Sequence, residues 1–157
     1  IGLSIYTNEN MDIIIENSDI IDVIQVPINI LDTNLIKNGC LDKLYKSGIK
    51  IHARSIFLQG VLSMPRAEVI SRFQVLDEPL RILDELVLDE NINLAELSLL
   101  FVMNLDFVSK VVIGIETLSQ LKKNVNTLSK KIDSKIFSDI LTVKFNDKSV
   151  LNPALWN

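Results

Sequence analysis

Apolar residues follow two rhythms along this chain. "IGLSIY" (1–6), "IDVIQVP" (21–27), "IKIHA" (49–53, leading into Arg54) and "VSKVVIGI" (108–115) are short apolar runs, and they read as four strands. Between them the apolar positions recur at helical spacing. "ENMDIIIENS" (9–18) predicts a short helix, and "LDKLYKS" (41–47) a second with Leu41, Leu44 and Tyr45 on one face. The long third connection holds two more. "PLRILDELVLDE" (79–90) aligns Leu80, Leu83, Leu86 and Val87, and "LAELSLLFVMN" (94–104) follows Asn93, a suitable N-cap. After the last strand, "TLSQLKKNVNTLSKK" (117–131) repeats Leu118, Leu121, Val125 and Leu128 behind Thr117. "IFSDILTVKF" (136–145) is a further helix or packing segment, and "NDKSVLNPALWN" (146–157) a tail.

Strands alternating with helices imply βαβ units and a parallel sheet, an α/β fold. The strands look nearly free of polar residues, so the expected sheet is covered on both faces. Linkers and low-complexity runs are missing, and the repeating units are not alike in sequence. Residues 1–157 are therefore read as a single domain.

Composition narrows the partners. Sixteen basic and twenty acidic residues leave a formal net charge of −4 with no dense basic cluster, which argues against nucleic acid as a main partner. The longest apolar runs, such as "LSLLFVM" (97–103), fall far short of the ~20 residues that cross a bilayer, so no membrane partner is expected. One cysteine, Cys40, allows no internal disulfide and suits a reducing, cytoplasmic setting. One histidine, His52, makes a metal site improbable.

The polar residues at the strand ends carry the chemistry. In "HARSIFLQG" (52–60), Arg54 and Ser55 fall at the C-terminal end of a strand, where parallel α/β proteins bind ligands. An arginine there can equally be a solvated or ion-paired side chain. Taken together, "IGLSIY", "IDVIQVPINILD", "GIKIHARSIFLQGVL" and "VVIGIETLSQLKKN" resemble, in order, the last four strands of the aldo-keto reductase family. The spacing from Gly114 to Gln120 to Asn124 is part of that resemblance, and "NPALW" is similar to the tail of members from sugar and polysaccharide pathways. The family fold is a (β/α)8 (TIM) barrel of roughly 250 residues. The resemblance thus implies that this chain is its second half, four strands with flanking helices.

What the resemblance implies for the site is a nicotinamide dinucleotide, NAD or NADP. Ser4 and Gln25 match positions that contact the nicotinamide carboxamide. Ser55, Leu58 and Gly60 match the loop along the pyrophosphate, where free backbone N–H groups can approach phosphate. Gly114 matches the turn into the last helix, whose N-terminus favours an anion, and Gln120 and Asn124 match the adenine contacts. Many relatives carry an aromatic residue where Arg54 stands. Glu116 occupies a position that is often polar or basic in relatives using the phosphorylated cofactor, so its carboxylate leans the expectation towards NAD; it can equally complement the following helix N-terminus.

Family catalysis uses an Asp, a Tyr, a Lys and a His from the first half of the barrel, and none can be assigned here. Tyr6 and Tyr45 stand in other surroundings, His52 lies within a strand, and Cys40 has no base in sequence near it. Three readings follow. The chain is the cofactor-binding half of an NAD(P)-dependent reductase of a carbonyl or sugar-derived substrate, inactive alone. Alternatively it is a free-standing half barrel that binds dinucleotide without catalysis, or a structural half barrel closed by a second copy or a partner. The apolar segment beginning at Ile1 leads to the expectation that the natural polypeptide continues upstream. A half barrel would expose two sheet edges and an apolar interior, and should self-associate.

Overall fold

A computed structural model describes residues 1–6 and 11–156. Four strands, β1 (Gly2–Ser4), β2 (Val23–Pro27), β3 (Lys50–Arg54) and β4 (Val108–Val111), form one parallel sheet in the order β1-β2-β3-β4. Each strand is followed by helix. After β1 comes α1 (Met11–Glu16); after β2 come α2 (Asn34–Lys37) and α3 (Cys40–Lys46). The β3 to β4 connection holds α4 (Arg66–Arg72), α5 (Asp77–Leu86) and α6 (Leu94–Met103). After β4 come α7 (Leu118–Thr127), α8 (Lys135–Ile140) and α9 (Lys148–Leu151). The α/β reading and the four strands agree with the sequence. Both outer strands are shorter than their apolar runs, so Ile113 to Ile115 lie in a loop.

The sheet is two-faced, which corrects the expectation of apolar strands covered on both sides. Ile24, Val26, Ile51 and Ala53 have no exposure and pack under the helices. The register places Ser4 beside Gln25, Gln25 beside His52 and His52 beside Lys110, so a polar row crosses the opposite face. Alternation with period 2 is the cause: in "KIHAR" the apolar residues point one way and Lys50, His52 and Arg54 the other.

Helix α6 is buried on nearly every side, with Leu97 and Val102 fully enclosed. Its start is a capping box, in which Asn93 Oδ1 accepts from the Glu96 N–H and the Glu96 carboxylate accepts from the Asn93 N–H, both at 3.0 Å. Ser98, within α6, is fully buried and joins two loops: its Oγ donates to the Ile56 carbonyl (2.6 Å) and accepts from the Ile30 N–H (3.4 Å).

Helix α7 sits the other way round. The stripe read from the sequence is present, but Leu118, Leu121, Val125 and Leu128 are 66%, 42%, 57% and 50% exposed. The inward contact comes from the polar side, where buried Thr127 donates to Glu96 Oε1 at 3.3 Å. The C-terminal residues are more than a tail: Val150 and Leu151 are buried, and Trp156 stacks at a tilt on Phe73 with centroids 4.9 Å apart.

Candidate cofactor site at the carboxyl ends of the strands

Because all four strands run parallel, Ser4, Arg54, Ser55 and the loop holding Gly114 come to one end of the sheet. Ser4 and Gln25 are direct register partners on β1 and β2. A hydroxyl and a carboxamide side by side supply donors and acceptors that suit a primary amide. Their neighbour two residues up the β3 face is Arg54, whose guanidinium lies 4.0 Å over the ring of Tyr6. Arg54 also donates to the Ile5 carbonyl (3.3 Å) and to Ser55 Oγ (3.2 Å).

The loop after β3 is strained. Ser55, Leu58 and Gln59 hold positive φ angles of 56°, 45° and 52°, and Gly60 follows at 89°. Such angles cost non-glycine residues on the order of 1 kcal/mol or more each and persist where surrounding contacts over-determine them. Here those contacts are visible. Fully buried Asn29 donates to the Ser55 carbonyl (3.2 Å) while its Oδ1 accepts from the N–H groups of Leu31 and Asp32. Leu58 fills the core with no exposure.

The loop corrects one detail of the pyrophosphate expectation. The Leu58 and Gly60 N–H groups are not free, since they donate to Ser55 and Phe57 carbonyls at 2.9 and 3.0 Å. What these residues do locally is close a tight turn. Ser55 keeps a half-buried hydroxyl at the strand end, bonded to Arg54.

Directly behind Gly60 the chain borders a cavity of about 420 Å³. Val61, Ser63 and Met64 form one wall, Asn93 and Ala95 at the start of α6 another, and Lys123 of α7 stands at the rim. Arg66 reaches in from α4, where its Nη2 donates to the Leu80 carbonyl (3.3 Å) and pairs with Asp84, while Nη1 is buried without a partner. The sequence singled out neither Arg66 nor Lys123. Lys123 is a neighbour of Asn124 within a flagged motif, whereas Arg66 lay in a segment that showed no helical rhythm.

Gln120 and Asn124 do share one helix face, a turn apart on α7. Gln120 has a second duty there. Its Oε1 accepts from the N–H groups of Glu116 (2.8 Å) and Thr117 (3.2 Å), completing a capping box with Thr117 Oγ1. Only its amide NH2 is left for a ligand. None of the predicted cofactor residues, Gln120, Asn124 and Glu116 included, lines the cavity; Glu116 is exposed, and Gly114 lies exposed in the loop before α7.

Two carboxyls respond to their surroundings nearby. Burial raises Asp32 above the ordinary aspartate value, against hydrogen bonds from Asn34. Burial also pushes Glu96 up, but the Asn93 N–H, Lys130 at 3.0 Å and Lys123 together hold it below the ordinary value. Among the described residues no cluster of His, Cys, Asp and Glu could hold a metal, and no helix is long and apolar enough to cross a membrane.

A sequential parallel sheet with helices packed on one face and polar residues gathered at its carboxyl end is the arrangement of part of a (β/α) barrel. Residues 1–144 match the model of the aldo/keto reductase family, and the chain belongs to that family. Solved structures agree on the fold. The holo form of aldo-keto reductase AKR11C1 from Bacillus halodurans superposes with a TM-score of 0.73 at 19% identity, covering 94% of this chain and 51% of that one. Its apo form gives 0.68 at 21% identity, covering 91% and 52%. The thermostable aldo-keto reductase Tm1743, in complex with the inhibitor epalrestat, gives 0.59 at 16% identity, covering 78% and 39%. The chain therefore spans about half the length of these reductases or less. No curated protein matches it.

Proposed function

We propose that this chain is the C-terminal, cofactor-binding half of an NAD(P)-dependent oxidoreductase that acts on a carbonyl or sugar-derived substrate in the cytoplasm. The observation that carries this reading is the register that sets Ser4 beside Gln25, with Ser55 just past the end of β3, at the carboxyl end of a parallel sheet in a chain of the aldo/keto reductase family. The adenosine end would lie towards the cavity of about 420 Å³ next to Gly60, which Lys123 of α7 lines and Gln120 and Asn124 do not. From there the ligand runs past Ser55 to Ser4 and Gln25, which orient the nicotinamide carboxamide. The cofactor, when bound, supplies or accepts the hydride. This chain's residues bind and orient it; the proton-transfer residues belong to the other half of the barrel.

Lys123 and Arg66 line the cavity; Arg66 pairs with Asp84, and Lys123 acts on the Glu96 carboxylate. Glu116 is not among the lining residues, and neither are Gln120 and Asn124, so the lining does not weigh against its leaning towards NAD.

The exposed apolar stripe of α7, with Ile1 at 71% and Val112 at 45% exposure near the two edge strands, supports closure by further β/α units. Upstream sequence of the same polypeptide is favoured over a second copy, because the relatives reach about twice this length in one chain. The test is titration of the complete natural polypeptide with NADPH and NADH, followed by cofactor fluorescence. Saturable binding of one or both at micromolar concentration is expected; a folded protein that binds neither sinks the reading and leaves the structural half barrel.

A further inference from the structure

We propose that Arg54 recognises an anionic group, a carboxylate or a phosphate, carried by the carbonyl substrate. This inference rests on the cofactor reading above and names the substrate class for that site.

The first argument is charge placement. The chain has twenty acidic residues and a net charge of −4, yet no strand contains an Asp or Glu. The face that holds Ser4 and Gln25 instead carries His52, Arg54 and Lys110. Arg54 and Lys110 give that face a positive charge inside an acidic protein, and such a surface focuses an anionic ligand to that place.

The second argument is the state of Arg54 itself. It is half-buried, and no described carboxylate lies within ion-pair distance of it. Asp32, in the loop after β2, accepts from Asn34 instead. A guanidinium carries five N–H donors, and among the described residues Arg54 directs two bonds to protein, both to neutral oxygens. The remaining donors form the fork that matches carboxylate or phosphate oxygens.

The third argument is orientation. The Tyr6 ring at 4.0 Å, the Ile5 carbonyl and the Ser55 hydroxyl hold the guanidinium plane from three sides, so little freedom is lost when an anion binds. Its place on β3 is two residues beyond the row of Ser4, Gln25 and His52, towards the open end of the sheet. A group bound there reaches a substrate lying beside the nicotinamide end of the cofactor.

The experiment uses the complete natural polypeptide and two matched substrate pairs: 4-formylbenzoate against 4-formylbenzamide, and glyceraldehyde 3-phosphate against glyceraldehyde. Each is followed by turnover with NADPH and by calorimetric binding, in the wild type, Arg54→Met and Arg54→Lys. The wild type should favour the charged member of at least one pair. Arg54→Met should cut that preference about ten- to a hundredfold, and Arg54→Lys should restore part of it. The pair that responds distinguishes carboxylate from phosphate. No preference in the wild type, or equal losses for both members of each pair, overturns the proposal. So does a lowered melting temperature with the preference intact, which would mean that Arg54 pairs with a carboxylate of its own polypeptide. If the wild type binds no dinucleotide, the cofactor reading fails while calorimetry still decides whether Arg54 selects anions.

Discussion

Asn29, fully buried after β2, donates its side-chain amide to the carbonyl of Ser55 after β3, 3.2 Å away. Two candidate loops are thereby locked together through one side chain, and the Ser55 backbone is held at φ 56° by that contact among others. Asn29 Oδ1 meanwhile accepts from both the Leu31 and the Asp32 N–H at 2.9 Å.

Removing that clamp should be expensive. Asn29→Ala leaves buried backbone groups unpaired and is expected to cost about 2–4 kcal/mol of folding stability. Chemical denaturation measures the loss. Dinucleotide affinity should fall too, because the Ser55 loop relaxes; a variant with wild-type stability would show that the clamp is replaceable.

Gln120 separates capping from ligand contact. Gln120→Glu keeps an acceptor for the Glu116 and Thr117 N–H groups, so the melting temperature should change little. It loses the amide donors, so cofactor affinity should drop several-fold. Gln120→Ala should lower both affinity and stability, the latter by about 1 kcal/mol.

Lys123 bears on cofactor choice. Lys123→Ala removes a cation from the cavity lining and should weaken dinucleotide binding several-fold, with a larger loss for NADPH than for NADH where the 2′-phosphate enters this cavity. Equal effects on both, measured by fluorescence titration, would remove the 2′-phosphate from this cavity.

Glu96 predicts an acid limb. Its carboxyl titrates lower in the folded chain than the ordinary 4.5, so its stabilising share is full above that pH and is lost as pH falls through the folded value. Glu96→Gln should flatten that part of the stability curve. Denaturant midpoints measured from pH 6 down to about pH 3 check it.

The apolar stripe of α7 tests closure. Glutamate at both Leu121 and Leu128 should destabilise the complete polypeptide by several kcal/mol, at about 1.5–3 kcal/mol per buried leucine. In the chain expressed alone, the same pair should reduce self-association, seen by analytical ultracentrifugation. Unchanged behaviour in both would leave the stripe uncovered in the native protein.

Much of the architecture was legible along the chain because strand and helix periods differ. The four apolar runs, the Asn93 cap and the Thr117 start all reappear in the fold. Helix α4 was not legible, since "RAEVISR" offers few apolar positions and buries only Val69. The cavity wall contributed by Arg66 was lost with it. The double duty of Gln120 was also hidden, because a capping box and a ligand contact use the same residue at the same spacing.

By itself, the sequence determined the order of the four strands and of the longer helices between them, the family, and which polar residues reach the strand ends, since these follow from local periodicity and short motifs. Only the tertiary structure decided that the polar alternates of four strands form one continuous row, that the α7 stripe faces outward, and that Arg54 stacks on Tyr6 with no described carboxylate near. Those relationships join residues far apart in the chain. Sheet register and packing bring them together, and no local pattern encodes either one.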